Sequence, residues 1–110
     1  MIHHGVANSI MMPPVMKFNV EYAPKGYADI AAALGVDTSG VSLDEAANAA
    51  ITAVRQLSQD VEIPQSLSEA GLQRESLPKM AKNAMLDHCY KLNPRPCTEE
   101  DMLRLYEEAF

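Results

Sequence analysis

From Val6 to Phe18 the chain is apolar except for Asn8, Ser9 and Lys17, with Pro13-Pro14 in its middle. This stretch constrains the fold more than any other. At helical spacing Val6, Ile10 and Pro14 share one stripe, while Ala7, Met11, Val15 and Phe18 share a second. Apolar groups therefore wrap most of the circumference, and such a helix needs neighbours on several sides. It falls short of the roughly 20 apolar residues a membrane span requires. The spacing predicts a core helix with a bend. Each proline removes an amide donor and crowds the preceding turn, so a kink, or the end of the first half, is expected near Met12. His3 and His4 then stand at the helix N-terminus.

The rest reads as further helices separated by turn formers. Tyr27, Ile30, Ala31 and Leu34 fall at i, i+3, i+4 and i+7, with Gly35 as the C-cap. After Asp37-Thr38-Ser39-Gly40, Ser42 and Glu45 form a capping box for the longest helix. Its predicted core stripe is Leu43, Ala47, Ala50, Val54, Leu57 and Val61, and Ala46, Ala47, Ala49 and Ala50 permit a close neighbour. Ile63-Pro64 ends it. Ser66 to Ala70 reads as about one and a half helical turns closed by Gly71. A helix from Ser76 carries Leu77, Met80, Ala81, Ala84, Met85 and Cys89 on one face, with Pro78 in its first turn. Asn93-Pro94-Arg95-Pro96 is a loop. Thr98 and Asp101 open the last helix, whose inner face is Met102, Leu105, Tyr106 and Ala109. No stretch alternates as a strand does, and no glycine-rich phosphate loop is present. The fold expected is all-α, a helical bundle of about five to six helices forming a single segment over residues 1–110.

Composition narrows the function. Net charge is −6 over 110 residues, with acids gathered at Asp44-Glu45, Glu99-Glu100-Asp101 and Glu107-Glu108. A nucleic-acid partner would want a basic face, and none is visible. Two cysteines in a chain without a secretory leader point to reduced thiols and a cytoplasmic protein, although a disulfide across the Asn93 to Pro96 loop is geometrically conceivable.

His4 is the main candidate for chemistry. A helix-end imidazole suits a divalent metal if other ligands converge on it; otherwise it bonds to backbone. His3 points about 100° away and cannot easily share an ion with it. Asn8 lies one turn beyond His4 on the same face, placed either to orient a ligand or to bridge two helices. Asp87-His88-Cys89 lies on one continuous helix by this reading, where neighbours diverge around the axis, and Cys89 reads as a small buried hydrophobe. Arg95 suits a carboxylate at a domain or subunit contact, or solvent. The glutamates of the last helix form a wet face, and the methionines fill core. No catalytic residue emerges from these patterns.

His4-Gly5-Val6-Ala7-Asn8, followed by an apolar run, a proline and Val15-Met16-Lys17-Phe18-Asn19, resembles the segment that opens the last part of iron-containing alcohol dehydrogenases of the lactaldehyde reductase and 1,3-propanediol dehydrogenase group. The likeness continues in order. It takes in Tyr27, Ile30, Ala31 and Leu34-Gly35, then Ile63-Pro64, Leu67 and Gly71, then Leu77-Pro78, Ala81 and Ala84. Asp87, Cys89 and Asn93-Pro94-Arg95 follow, and Thr98 to Tyr106 with Ala109 complete it. No single motif is specific; the ordered series is.

The resemblance implies the C-terminal part of the dehydroquinate synthase-like helical domain, with the nucleotide-binding domain absent. It implies that His4 matches the last of four protein ligands to Fe2+, a partial site only, and that Cys89 lies near the substrate pocket, with Asn8, by its place one turn beyond His4, as the candidate to orient a ligand or the substrate. NAD(P) would belong to the parent enzyme and not bind this segment alone. The substrate implied is a small alcohol or aldehyde. Such a segment is expected to be inactive by itself and to self-associate through exposed apolar surface, with no membrane or nucleic-acid partner. The alternative is a non-catalytic helical interaction module or a truncated gene product.

Overall fold

The computed structural model describes residues 2–110. It contains five α-helices, α1 His4–Asn19, α2 Pro24–Ala33, α3 Leu43–Asp60, α4 Leu77–Ala84 and α5 Glu99–Ala109, with 3-10 turns at Val20–Tyr22, Arg74–Ser76 and His88–Leu92. No strand occurs among the described residues, so the all-α expectation holds. The body is flat, 45 × 31 × 18 Å. Accordingly it has two apolar centres rather than one.

α1 runs unbroken through Pro13 and Pro14, both buried, so the expected end near Met12 does not occur. The two missing amides free the carbonyls of Ser9 and Ile10, a loss that packing of the helix on its neighbours offsets. His3 caps the helix itself, its Nδ1 accepting from the Gly5 amide at 3.1 Å.

The first centre joins Met16 and Val20 to Ala31 of α2 and Ala47, Ala50 and Ile51 of α3. Ala31, Ala47 and Ala50 are fully buried, so α2 and α3 approach closely along small side chains. This bears out the middle of two predicted stripes, with Tyr27, Ala31, Ala47, Ala50 and Val54 in or against the core, and corrects their ends. Ile30 and Leu34 of α2 are exposed, as are Leu43, Leu57 and Val61 of α3, while Ala46 and Ile51 are buried. Close approach is made through the alanines, which keeps the larger side chains Leu43 and Leu57 outside the contact. Ser42 Oγ accepts from the Glu45 amide at 3.1 Å, which is one half of the expected capping box. α2 closes in a Schellman turn on Gly35 (φ 88), with the Val36 amide donating to the Ala31 carbonyl. The same closure after α3 uses Glu62 at φ 61, a conformation that costs a non-glycine residue about 1 kcal/mol.

The second centre joins Ile10, Leu67, Leu77 and Ala109. Ser66 to Ala70 forms a turn rather than a short helix, closed by Gly71 at φ 95. That turn delivers Leu67 into the core, and its amide donates to the Ala109 carbonyl at 2.7 Å, tying the turn to the end of α5. Thr98 and Asp101 make the reciprocal capping box of α5.

α4 stops at Ala84, which corrects the reading of a continuous helix out to Cys89. Asp87 is extended and its carboxylate accepts from the Cys89 amide at 2.9 Å, offering the backbone a local alternative to the helix. Cys89 therefore sits in the 3-10 turn and is exposed, not a buried core residue.

Candidate functional site

One face of α1, one face of α5 and the segment between α4 and α5 enclose an open groove of about 730 Å³. From α1 come Asn8, Met11, Val15 and Phe18, a stripe set by helical spacing. Met102, Leu105 and Tyr106 supply the facing wall. The third wall is irregular chain, with Cys89, Tyr90, Leu92, Asn93, Pro94 and Cys97. Pockets of this size, mostly apolar with a few polar groups, suit a small organic ligand.

His4 stands at the exposed first turn of α1, outside the groove lining, and Asn8 connects the two. The Asn8 amide nitrogen lies 3.1 Å from His4 Nε2. An amide nitrogen only donates, so Nε2 accepts and a neutral ring carries its proton on Nδ1. A cation on Nε2 would need that same lone pair and would have to displace the amide. Among the described residues no three His, Cys, Asp or Glu side chains converge to hold a metal ion. The chain thus offers one imidazole donor, which falls short of a metal site by itself. Asn8 bridges to no other helix; its partner is His4.

Neither groove cysteine is activated. The Asp87 hydrogen bond and charge push the Cys89 thiol up, while the same contact holds the Asp87 carboxyl below the usual carboxylate range. Burial first, then the Asp101 charge, raises Cys97 against the opposing effect of Arg95. The thiolate, not the thiol, is the nucleophile, so these groups are poorly set up for covalent chemistry. Burial also raises the Tyr106 phenol. Both cysteines are free thiols, as expected.

Sequence reasoning missed how the irregular wall is held. Asn19 and Asn93 exchange two amide hydrogen bonds, each 2.7 Å, and Asn93 Nδ2 also donates to the Arg95 carbonyl at 2.6 Å. Among the described residues Arg95 pairs with no carboxylate. It donates to the Phe18 carbonyl at 3.0 Å and lies over the Phe18 ring at 4.0 Å. The only hint in sequence was the polar Asn19 at the end of an apolar helix.

Residues 1–110 match the model of the Fe-containing alcohol dehydrogenase family, C-terminal, and the chain belongs to that family. Among its relatives, lactaldehyde reductase of Escherichia coli (strain K12) is 45% identical over 107 residues, covering 97% of this chain and 28% of that protein. The 1,3-propanediol dehydrogenase of Citrobacter freundii is 38% identical over the same shares. The crystal structure of 1,3-propanediol oxidoreductase superposes with a TM-score of 0.95 at 37% identity, over 99% of this chain and 28% of that one. The chain therefore spans a little over a quarter of the length of the relatives it matches.

Proposed function

We propose that this chain is the C-terminal helical part of an iron-dependent, NAD(P)-linked alcohol dehydrogenase acting on a small alcohol or aldehyde. The observation that carries the reading is the match to lactaldehyde reductase along 97% of the chain. His4 serves as one of the iron ligands, and the apolar groove beside Asn8 receives the carbon chain of the substrate, with Cys89 on its rim. Bound iron supplies Lewis acidity toward the substrate oxygen. The chain's own part is to lend one imidazole, whose Nε2 the Asn8 amide releases when the ion binds, and to shed water from the groove with Met11, Val15 and Phe18. Hydride transfer needs a nicotinamide held by another domain, so the chain alone does not turn over.

A chimera tests this. The matching segment of the E. coli lactaldehyde reductase is replaced by this chain, and NADH oxidation with lactaldehyde is followed with Fe2+ present. Turnover by the chimera, with none from the isolated chain, is the expected result. A folded chimera without activity, or NAD(P)H formation by the isolated chain given Fe2+ and a short diol, would overturn it.

A further inference from the structure

We propose that Asn19, Asn93 and Arg95 are positioning residues: they latch the irregular wall onto the last turn of α1 and so fix the width of the groove and the size of ligand it takes. The ligand-size half rests on the reading that the groove receives the substrate; the latch itself does not.

The wall has no apolar anchor. From Lys82 to Arg104 no residue is buried, and Leu92 is 86% exposed. Its hydrogen bonds to itself, such as Asp87 to the Cys89 amide and the Asn93 amide to the Tyr90 carbonyl, set its local shape but not where it lies. What ties it to the body is polar. The reciprocal Asn19–Asn93 pair spans 74 positions, and Arg95 adds its bond to the Phe18 carbonyl and its stacking on Phe18, with the Tyr22 ring 5.5 Å away.

The latch is specific as well as strong. Asn19 is the one buried polar side chain among the described residues, and Asn93 satisfies its amide. A buried amide that loses its partner is costly, so the wall has one seat rather than a range of sliding positions. The bond from Asn93 Nδ2 to the Arg95 carbonyl joins the two halves of the latch. Phe18 and Asn93 belong both to the latch and to the groove lining, so any slip of the latch is a change of groove shape. Pro94 and Pro96 on either side of Arg95 stiffen the loop.

The two cysteines report on this directly. Cys97 is half-buried in the wall and Cys89 is exposed, so the ratio of their labelling rates by a disulfide-exchange reagent reads local opening. In the 110-residue chain, Asn93→Asp keeps the shape but can no longer donate to Asn19 or to the Arg95 carbonyl. It is expected to speed Cys97 relative to Cys89 about tenfold. Arg95→Lys is a milder variant for the case where Asn93→Asp fails to fold, and should give a smaller rise with melting retained. Loss of the guanidinium charge works against labelling in Arg95→Ala, because the Arg95 charge lowers the Cys97 thiol; faster labelling there comes from opening.

The second arm places the same substitutions in the lactaldehyde reductase chimera and compares short with longer alcohols. KM for the short substrate should rise with kcat little changed, and the preference should shift toward longer chains. Unchanged Cys97 labelling in folded Asn93→Asp and Arg95→Ala overturns the latch. Faster labelling with an unchanged chain-length profile leaves the latch standing and overturns its role in ligand size.

Discussion

Replacing Leu67 by alanine should be among the most damaging single changes in this chain, although Leu67 lies in a turn. Its side chain is 1% exposed and meets Ile10 of α1, Leu77 of α4 and Ala109 of α5. Leu→Ala at buried sites costs about 2–5 kcal/mol, the upper part where the surroundings cannot collapse. Three helices fix the walls here, and the Leu67 amide is itself tied to the Ala109 carbonyl, so collapse is restricted. About 3 kcal/mol is expected. That is a large share of the roughly 5–15 kcal/mol that stabilises a domain. At about 4–6 °C per kcal/mol for a chain of this size, the melting point should fall by roughly 12–18 °C. The reference is Leu57→Ala, where the side chain is 51% exposed and the cost should be below about 0.5 kcal/mol. Far-UV circular dichroism with heat and with urea, at one protein concentration, makes the comparison. A Leu67→Ala shift no larger than that of Leu57→Ala would refute the placement of the second apolar centre.

Two further outcomes follow. The Thr98 amide, before any other contact, holds the Asp101 carboxyl below the ordinary aspartate range. A lowered folded-state value means that the contribution is full above the unfolded value of about 3.9 and is lost as pH falls through the folded one. Asp101→Asn should therefore flatten part of the acid limb of a melting-point series from pH 6 to pH 2, and an acid limb identical to that of the parent chain would contradict it. The isolated chain, with an open apolar groove and exposed Ile30, Leu34, Leu57 and Val61, should self-associate. Sedimentation velocity at rising concentration checks this, and a single monomeric boundary throughout would count against it.

Local chemistry was legible in the sequence and distant choice was not. Thr98 and Asp101 are three residues apart, as are Ser42 and Glu45, so their caps follow from spacing alone; Gly35 likewise marks the end of α2. The two stripes of α1 were also readable, and they have separate tasks. Ile10 and Pro14 are buried, while Met11, Val15 and Phe18 line the groove. On α2 and α3 the sequence marked Ala31, Ala47 and Ala50 for the core, and it is the exposure of the larger Ile30, Leu43 and Leu57 on the same stripes that depended on how near the two helices come. Periodicity carried α4 on to Cys89 because it has no term for the Asp87 side chain competing with the helix backbone. Asn19 and Asn93 lie 74 positions apart, beyond any local signal. The four-residue spacing put His4 and Asn8 on one face of α1, and the structure adds the contact between the Asn8 amide nitrogen and His4 Nε2.

The role of His4 is tested most directly by the iron content and iron X-ray absorption of the purified chimera, with and without His4→Ala. Lower iron occupancy and one fewer imidazole nitrogen around the metal in the folded variant is the expected result. Equal occupancy with an unchanged coordination shell would mean that His4 is no ligand.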